Sequence, residues 1–187
     1  MNIPELHRRA VEGFGQRVRA IDDDQWHLPT PCAGWDVRQL VAHLVDENLW
    51  TPWLFDGHTI AEAGDRFSGD PVGDDPKQVW EEHSPEAVGA VHQDGAMERT
   101  VHLSFGDVPG EEYASQLFAD HLIHSWDLAR GIGADEKLDP ELIAACAEWF
   151  AAREDIYRDG GAIGARPDVP ANADPQTILL AAFGRTP

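Results

Sequence analysis

Phe118-Ala119-Asp120-His121-Leu122-Ile123-His124-Ser125-Trp126-Asp127 lies inside the strongest helical pattern of the chain, running from about Glu111 to Arg130. Residues four apart on a helix share a face, one turn apart in height. Asp120 and His124 can therefore aim a carboxylate and an imidazole at one point. Helix bundles assemble metal sites from such pairs, completed by a side chain on a neighbouring helix. His43, set among Leu40, Val41, Leu44 and Val45, is the natural completion. His121 competes at three-residue spacing from His124, but it points about 60° away on the helical wheel.

Spacing alone leaves other readings open. With nine His and 34 acidic residues among 187, chance places about 1.6 acids four residues before a His. The chain has three such pairs: Asp23–His27, Glu98–His102 and Asp120–His124. Only the last falls in a convincing helix. Its simplest alternative is a surface helical pair worth a few tenths of a kcal/mol. For His43 the alternative is a hydrogen-bonded core histidine. His7, His27, His58, His83 and His92 read as surface or loop residues.

Outward from this stretch, four more segments read as helix. Leu6, Ala10, Phe14, Val18 and Ile21 recur at three- to four-residue steps over about Pro4 to Ile21. Asp36 and Gln39 form an N-cap and its capping-box partner for a second helix towards Trp50. Pro76 suits the first turn of a third helix through Val91, in which Pro85 predicts a kink or a break. Asp139 and Pro140 open a fifth helix bearing Leu142, Cys146, Trp149 and Phe150. Residues Asp56 to Asp75, rich in Gly, Asp and Pro, read as a long mobile loop. Val101, Leu103 and Phe105 alternate with polar residues and predict a short strand or extended connection closed by Gly106-Asp107. Asp159 to Asn172 reads as irregular chain ahead of a short helix from Pro175 to Phe183. The expectation is one all-α domain over 1–187, an antiparallel four-helix bundle with an irregular C-terminal extension over 159–187.

Composition excludes several function classes. Fourteen Lys and Arg against 34 Asp and Glu give a net charge of −20, which repels phosphate backbones and anionic lipid heads. Nucleic acid and membrane surfaces are poor partners. No apolar run approaches the roughly 20 residues of a spanning helix, and Met1-Asn2-Ile3-Pro4-Glu5 lacks the pattern of a signal peptide. Cys32 and Cys146 are too few for a disulfide framework and read as reduced thiols in cytoplasm. Cys32, just ahead of a helix N-terminus that could make it reactive, reads first as a small packed thiol in a turn. Asp127 could orient a ligand imidazole but reads first as a loop or cap contact. Trp35 and Trp126 could line a pocket but read first as core. Arg130 reads as a favourable charge near a helix C-terminus. Gly160-Gly161-Ala162-Ile163-Gly164 is plain loop, set between no strand and helix.

Two signatures carry a resemblance. Thr30-Pro31-Cys32-Ala33-Gly34-Trp35-Asp36-Val37-Arg38-Gln39-Leu40-Val41-Ala42-His43-Leu44 resembles the start of the second helix in DinB-like proteins. More narrowly, it resembles the actinobacterial branch related to mycothiol-dependent maleylpyruvate isomerase. Asp120-x-x-x-His124-x-Trp126-Asp127-Leu128-Ala129-Arg130 is similar to that branch's metal-binding helix. The resemblance spans nearly the whole chain in one order, through Arg99-Thr100-Val101-His102-Leu103, Gly106-Asp107-Val108-Pro109 and Leu179-Leu180 before Gly184-Arg185. It implies a DinB-like four-helix bundle with one divalent metal ion on His43, Asp120 and His124. It gives His121 no ligand role.

Three protein ligands leave a position for water or substrate. The set fits zinc, suits non-haem iron, and leaves nickel and manganese open. The resemblance implies thiol chemistry with mycothiol as cosubstrate, acting on a small electrophile. The isomerase has Glu where this chain has Asp120, and it carries a further C-terminal domain that contributes to its active site. S-transfer is therefore expected ahead of maleylpyruvate isomerisation. The alternatives are hydrolysis by metal-bound water and metal or small-ligand binding without turnover. No individual catalytic residue emerges, and monomer and homodimer are both open.

Overall fold

A computed structural model describes residues 1–187. The chain forms two compact units, Met1–Asp135 and Glu136–Pro187. In the first, α1 (Ile3–Arg19), α2 (Val37–Phe55), α4 (Pro76–Val91) and α5 (Gly110–Ile132) make a four-helix bundle, with the one-turn helix α3 (Ile60–Ala63) between α2 and α4. Helix α1 packs along α5 and α2 along α4, while α1 on α4 and α2 on α5 close the square. Helices α2 and α5 run antiparallel. Phe55 meets Tyr113 near one end of this pair, and Val37 lies against Gly131 near the other.

The local chemistry explains these helices. Asn2 caps α1 by accepting from the Glu5 amide at 3.1 Å. Asp36 and Gln39 form the expected reciprocal capping box, which satisfies two amides that a helix start otherwise leaves unpaired. The apolar stripes Ala10, Val11, Phe14 and Val18 of α1 and Leu40, Val41, Leu44 and Val45 of α2 are buried. Most of them meet Trp80 of α4 and Leu128 of α5 in one core cluster.

Several expectations change. Helix α2 runs through Pro52 to Phe55 rather than ending towards Trp50. Helix α4 continues through Pro85 without a break. Pro85 is exposed, so a carbonyl left without its amide partner can be solvated. The segment 56–75, expected as a long mobile loop, contains α3 and is anchored. Val72 is fully buried, and Arg38 donates to Asp70 Oδ2 at 2.6 Å and to the Gly73 carbonyl at 2.8 Å.

The extended connection is a hairpin. Strand β1 (Thr100–Leu103) pairs antiparallel with β2 (Gly106–Pro109), from Thr100↔Pro109 to Leu103↔Gly106. Helix α5 starts immediately after it at Gly110, where a Cβ would lie 2.0 Å from the Ala96 carbonyl oxygen. The lack of a side chain lets α5 begin hard against the turn Ala96–Glu98. Gly133, at φ 69°, ends α5 in the left-handed conformation that glycine adopts without strain.

The second unit contains α6 (Pro140–Phe150), α7 (Glu154–Asp159) and α8 (Pro175–Ala182). Phe150 stacks on Phe183 with ring centres 3.8 Å apart. Gln176 joins the start of α8 to the chain before α6, donating to the Glu136 carbonyl and accepting from the Leu138 amide. Helix α7 lies in the stretch that follows the fifth expected helix.

Candidate metal centre

Helices α2 and α5 bring His43, Asp120 and His124 together. His43 Nε2 lies 2.9 Å from Asp120 Oδ2, and His124 Nε2 lies 3.3 Å from Asp120 Oδ1. The two imidazole centres are 5.2 Å apart. One donor atom from each residue falls within a set whose members all lie within 4.8 Å of one another. Tetrahedral zinc with bonds of about 2.0–2.1 Å holds its ligand atoms about 3.3 Å apart. Two imidazole nitrogens and a carboxylate oxygen at these separations fit one divalent cation. The side chain of His43 is about a quarter exposed, that of Asp120 about a third, and that of His124 is nearly buried, so the cluster opens to solvent on one side.

The electrostatics of the metal-free cluster are those of a charge triad. For Asp120, burial favours the neutral acid, but the neighbouring His124 and His43 outweigh it and hold the carboxyl well below its usual range. For His124, burial opposes the charge; the Asp120 carboxylate, then hydrogen bonds including one to Asp127, raise its pKa well above 6.5. His43 follows the same balance more weakly. A cation entering here would have to displace the protons on the two imidazoles.

Three features around this cluster differ from the first reading of the sequence. Asp127 is fully buried rather than a loop or cap contact, and its Oδ2 accepts from His124 Nδ1 at 2.9 Å. Such a carboxylate fixes the ring so that Nε2 faces the opposite side. Cys32 is more than a packed thiol in a turn: its Sγ lies 3.2 Å from Asp127 Oδ2 and 3.7 Å from His124 Nδ1. Glu47 stands one turn along α2 from His43. Burial, then the charge of Asp120, push its carboxyl up to about 7. The spacing 124–127 and the second family-like signature mark Asp127, the first signature includes Cys32, and the spacing 43–47 is the sequence signal for Glu47.

Trp35, read first as core with a pocket wall as the alternative, is about a third exposed at 36%. Its ring centre is 5.0 Å from that of His43 and 6.1 Å from that of His124, which makes it a wall of the site. Trp126 is buried as expected, with the Arg130 guanidinium 5.0 Å over its ring.

The remaining histidines separate from the centre. His121 is buried away from it and bonds the Leu117 carbonyl through Nδ1 at 2.8 Å. Burial pushes its pKa down to about 4. His7, expected at the surface, is fully buried, with its ring edge-on to His121 at 5.6 Å. It shares the face of Ala10, Val11 and Phe14, and burial holds it well below the usual histidine range. In the two competing acid–histidine spacings, the histidines make other contacts. His27 pairs with Asp36, and His102 pairs with Asp107 across the hairpin.

Comparison with known proteins matches residues 7–129 to the family described as the mycothiol maleylpyruvate isomerase N-terminal domain. The chain belongs to this family. The matched span contains His43, Asp120, His124 and Asp127. Two uncharacterized proteins of Mycobacterium tuberculosis, Rv0738 and its MT0763 counterpart in a second strain, are each 30% identical over 189 residues. The alignment covers 96% of this chain and 96% of theirs. Two crystal structures of the mycothiol-dependent maleylpyruvate isomerase, the first of them a histidine-to-alanine mutant, share the fold with TM-scores of 0.60 and 0.59. Their sequence identities are 16% and 17%, and the similarity covers 80% of this chain and 70% of the isomerase. No helix is long and apolar enough to cross a membrane.

Proposed function

We propose that His43, Asp120 and His124 hold one divalent metal ion, zinc first among those the donors suit, and that the centre serves thiol-dependent S-transfer to a small electrophile. The observation that carries the reading is the convergence of three donors from two helices on one side-open point, inside the span that matches the isomerase family. A bound divalent cation would supply the positive charge that keeps a thiol sulfur as thiolate at neutral pH.

The chain's own groups do the rest. Asp127, holding Nδ1 of His124, keeps the Nε2 lone pair aimed at the donor set. Trp35 offers a flat apolar wall beside both imidazoles, suited to an unsaturated or aromatic electrophile. Glu47, one turn along α2 from His43, is the carboxylate proposed to accept the thiol proton. On a haloarene the thiolate sulfur bonds to the ring carbon as halide leaves; on an unsaturated acid it bonds to one alkene carbon as the π bond opens and the other carbon takes up the proton. Mycothiol, named in the family description, is the thiol proposed, and binding energy from its remote parts would position the sulfur.

The test is consumption of mycothiol with a panel of haloarenes and unsaturated acids by the metal-loaded protein. Turnover that is lost in His43→Ala and His124→Ala, and poor with a simple thiol, supports the reading. Equal thiol loss with wild type and with a metal-free variant across the panel overturns it, leaving a metal-binding protein without turnover.

A further inference from the structure

Cys32 lies 92 residues from His124 in sequence, in the segment between α1 and α2, yet its sulfur reaches the far side of the proposed ligand. Asp127 is fully enclosed, and a buried carboxylate stays ionised only where donors converge on it. Two groups meet the same oxygen: His124 Nδ1 at 2.9 Å and Cys32 Sγ at 3.2 Å. With both contacts on Oδ2, the thiol limits how that oxygen can turn about the Cβ–Cγ bond, and so where the imidazole N–H must point.

We infer that Cys32 is a positioning residue for the metal centre, its S–H donating to Asp127 Oδ2 so that Asp127 in turn fixes the ring of His124. The inference rests on the metal-centre reading. The chain of contacts Cys32–Asp127–His124 ends at the face of the imidazole opposite Asp120: Nδ1 is engaged by Asp127, and Nε2 is directed to Asp120 at 3.3 Å. The sulfur is thereby held on the Nδ1 side, away from the donor set of His43 Nε2, Asp120 and His124 Nε2. It acts on the site through Asp127 and is not itself a ligand. Serine can replace it, because a hydroxyl donates to the same oxygen; alanine and valine cannot.

The experiment measures zinc affinity of the full chain by competition with a chromophoric chelator, and the visible spectrum of the cobalt-substituted protein. Asp127→Asn should weaken zinc by about 10- to 100-fold, the usual effect of removing a ligand's hydrogen-bond partner. Cys32→Ala and Cys32→Val should weaken it by about 2- to 10-fold, less than loss of the carboxylate because a thiol is a weak donor. Cys32→Ser should restore wild-type affinity and the wild-type cobalt d–d bands. In the Asp127→Asn background, Cys32→Ala should add no further loss, because its route to the metal is gone. Equal affinities in wild type and Cys32→Ala overturn the inference, as do fully additive losses. A Cys32→Ser variant as weak as Cys32→Ala, with an unchanged melt, reduces the thiol to packing and also overturns it. A thiolate-to-cobalt charge-transfer band that disappears in Cys32→Ser makes Cys32 a ligand instead. Should the wild type bind no metal at all, the metal-centre reading fails first, and that outcome is separable from each of these.

Discussion

Replacing Asp120 with Asn in the metal-free protein removes the carboxylate between two imidazoles while keeping its shape. Asp120 accepts from His43 at 2.9 Å and from His124 at 3.3 Å. A hydrogen bond to a charged group contributes about 1.5–3 kcal/mol. The 3.3 Å contact is long, and Asp120 is about a third and His43 about a quarter exposed, so solvent screening trims both contributions. The imidazoles can also shed their protons once the carboxylate is gone, which caps the loss. The expected cost near pH 6 is about 1.5–3 kcal/mol in total. The pH dependence has a definite sign. His43 and His124 have raised pKa values, so their contribution is fully present below about 6.5 and is lost as pH rises through the folded values. Asp120 is lowered, so its contribution is present above the usual carboxylate range and is lost only in strong acid. The gap between wild type and Asp120→Asn should therefore be widest in mildly acidic solution and should shrink towards alkaline pH. Urea unfolding in the presence of a chelator, across this range, measures it. A gap that widens with rising pH, or no gap at all, refutes the charge triad.

Three further perturbations probe the core, the start of α5 and the protons of the site. His7→Leu removes a buried ring for which neither nitrogen has a hydrogen-bond partner, so at neutral pH it should be neutral or stabilising by urea unfolding. Its advantage should grow below pH 6.5, where the unfolded chain binds the proton that the buried His7 refuses; a destabilised variant at pH 5 contradicts this. Gly110→Ala forces a Cβ to within 2.0 Å of the Ala96 carbonyl oxygen unless the backbone moves, and should cost about 1–3 kcal/mol, read from the thermal melt. An unchanged melt would show that the start of α5 yields freely. Metal uptake near neutral pH should release protons from His43 and His124, seen as a buffer-dependent heat in titration calorimetry. Acid release of the ion should begin at a higher pH than ordinary imidazoles would give, and buffer-independent heats contradict the raised pKa values.

How far the sequence reveals this molecule differs from element to element. Helices α1, α2 and α5 are legible because each repeats apolar residues at helical spacing and carries a recognisable cap or terminal glycine. The pairing of Asp120 with His124 is legible for the same reason, since both lie on one helix. The convergence of His43 with them depends on how α2 packs on α5, which spacing cannot express and which the family resemblance supplies. Strand β2 escapes because Gly106-Asp107-Val108-Pro109 has no alternation, and α7 because six residues without a buried face leave no periodic trace. The burial of His7 is readable in principle, through its step to Ala10, Val11 and Phe14, but a titratable side chain ordinarily belongs at the surface and masks that step. The contact of Cys32 with Asp127 spans 95 positions and belongs wholly to tertiary packing.

The most direct test of the account is elemental analysis of protein purified without added metal, run on wild type and on His43→Ala, Asp120→Ala, His124→Ala and His121→Ala. Close to one divalent ion per chain is expected in wild type and in His121→Ala, and little or none in the other three. A site emptied by His121→Ala while Asp120→Ala stays loaded would contradict it.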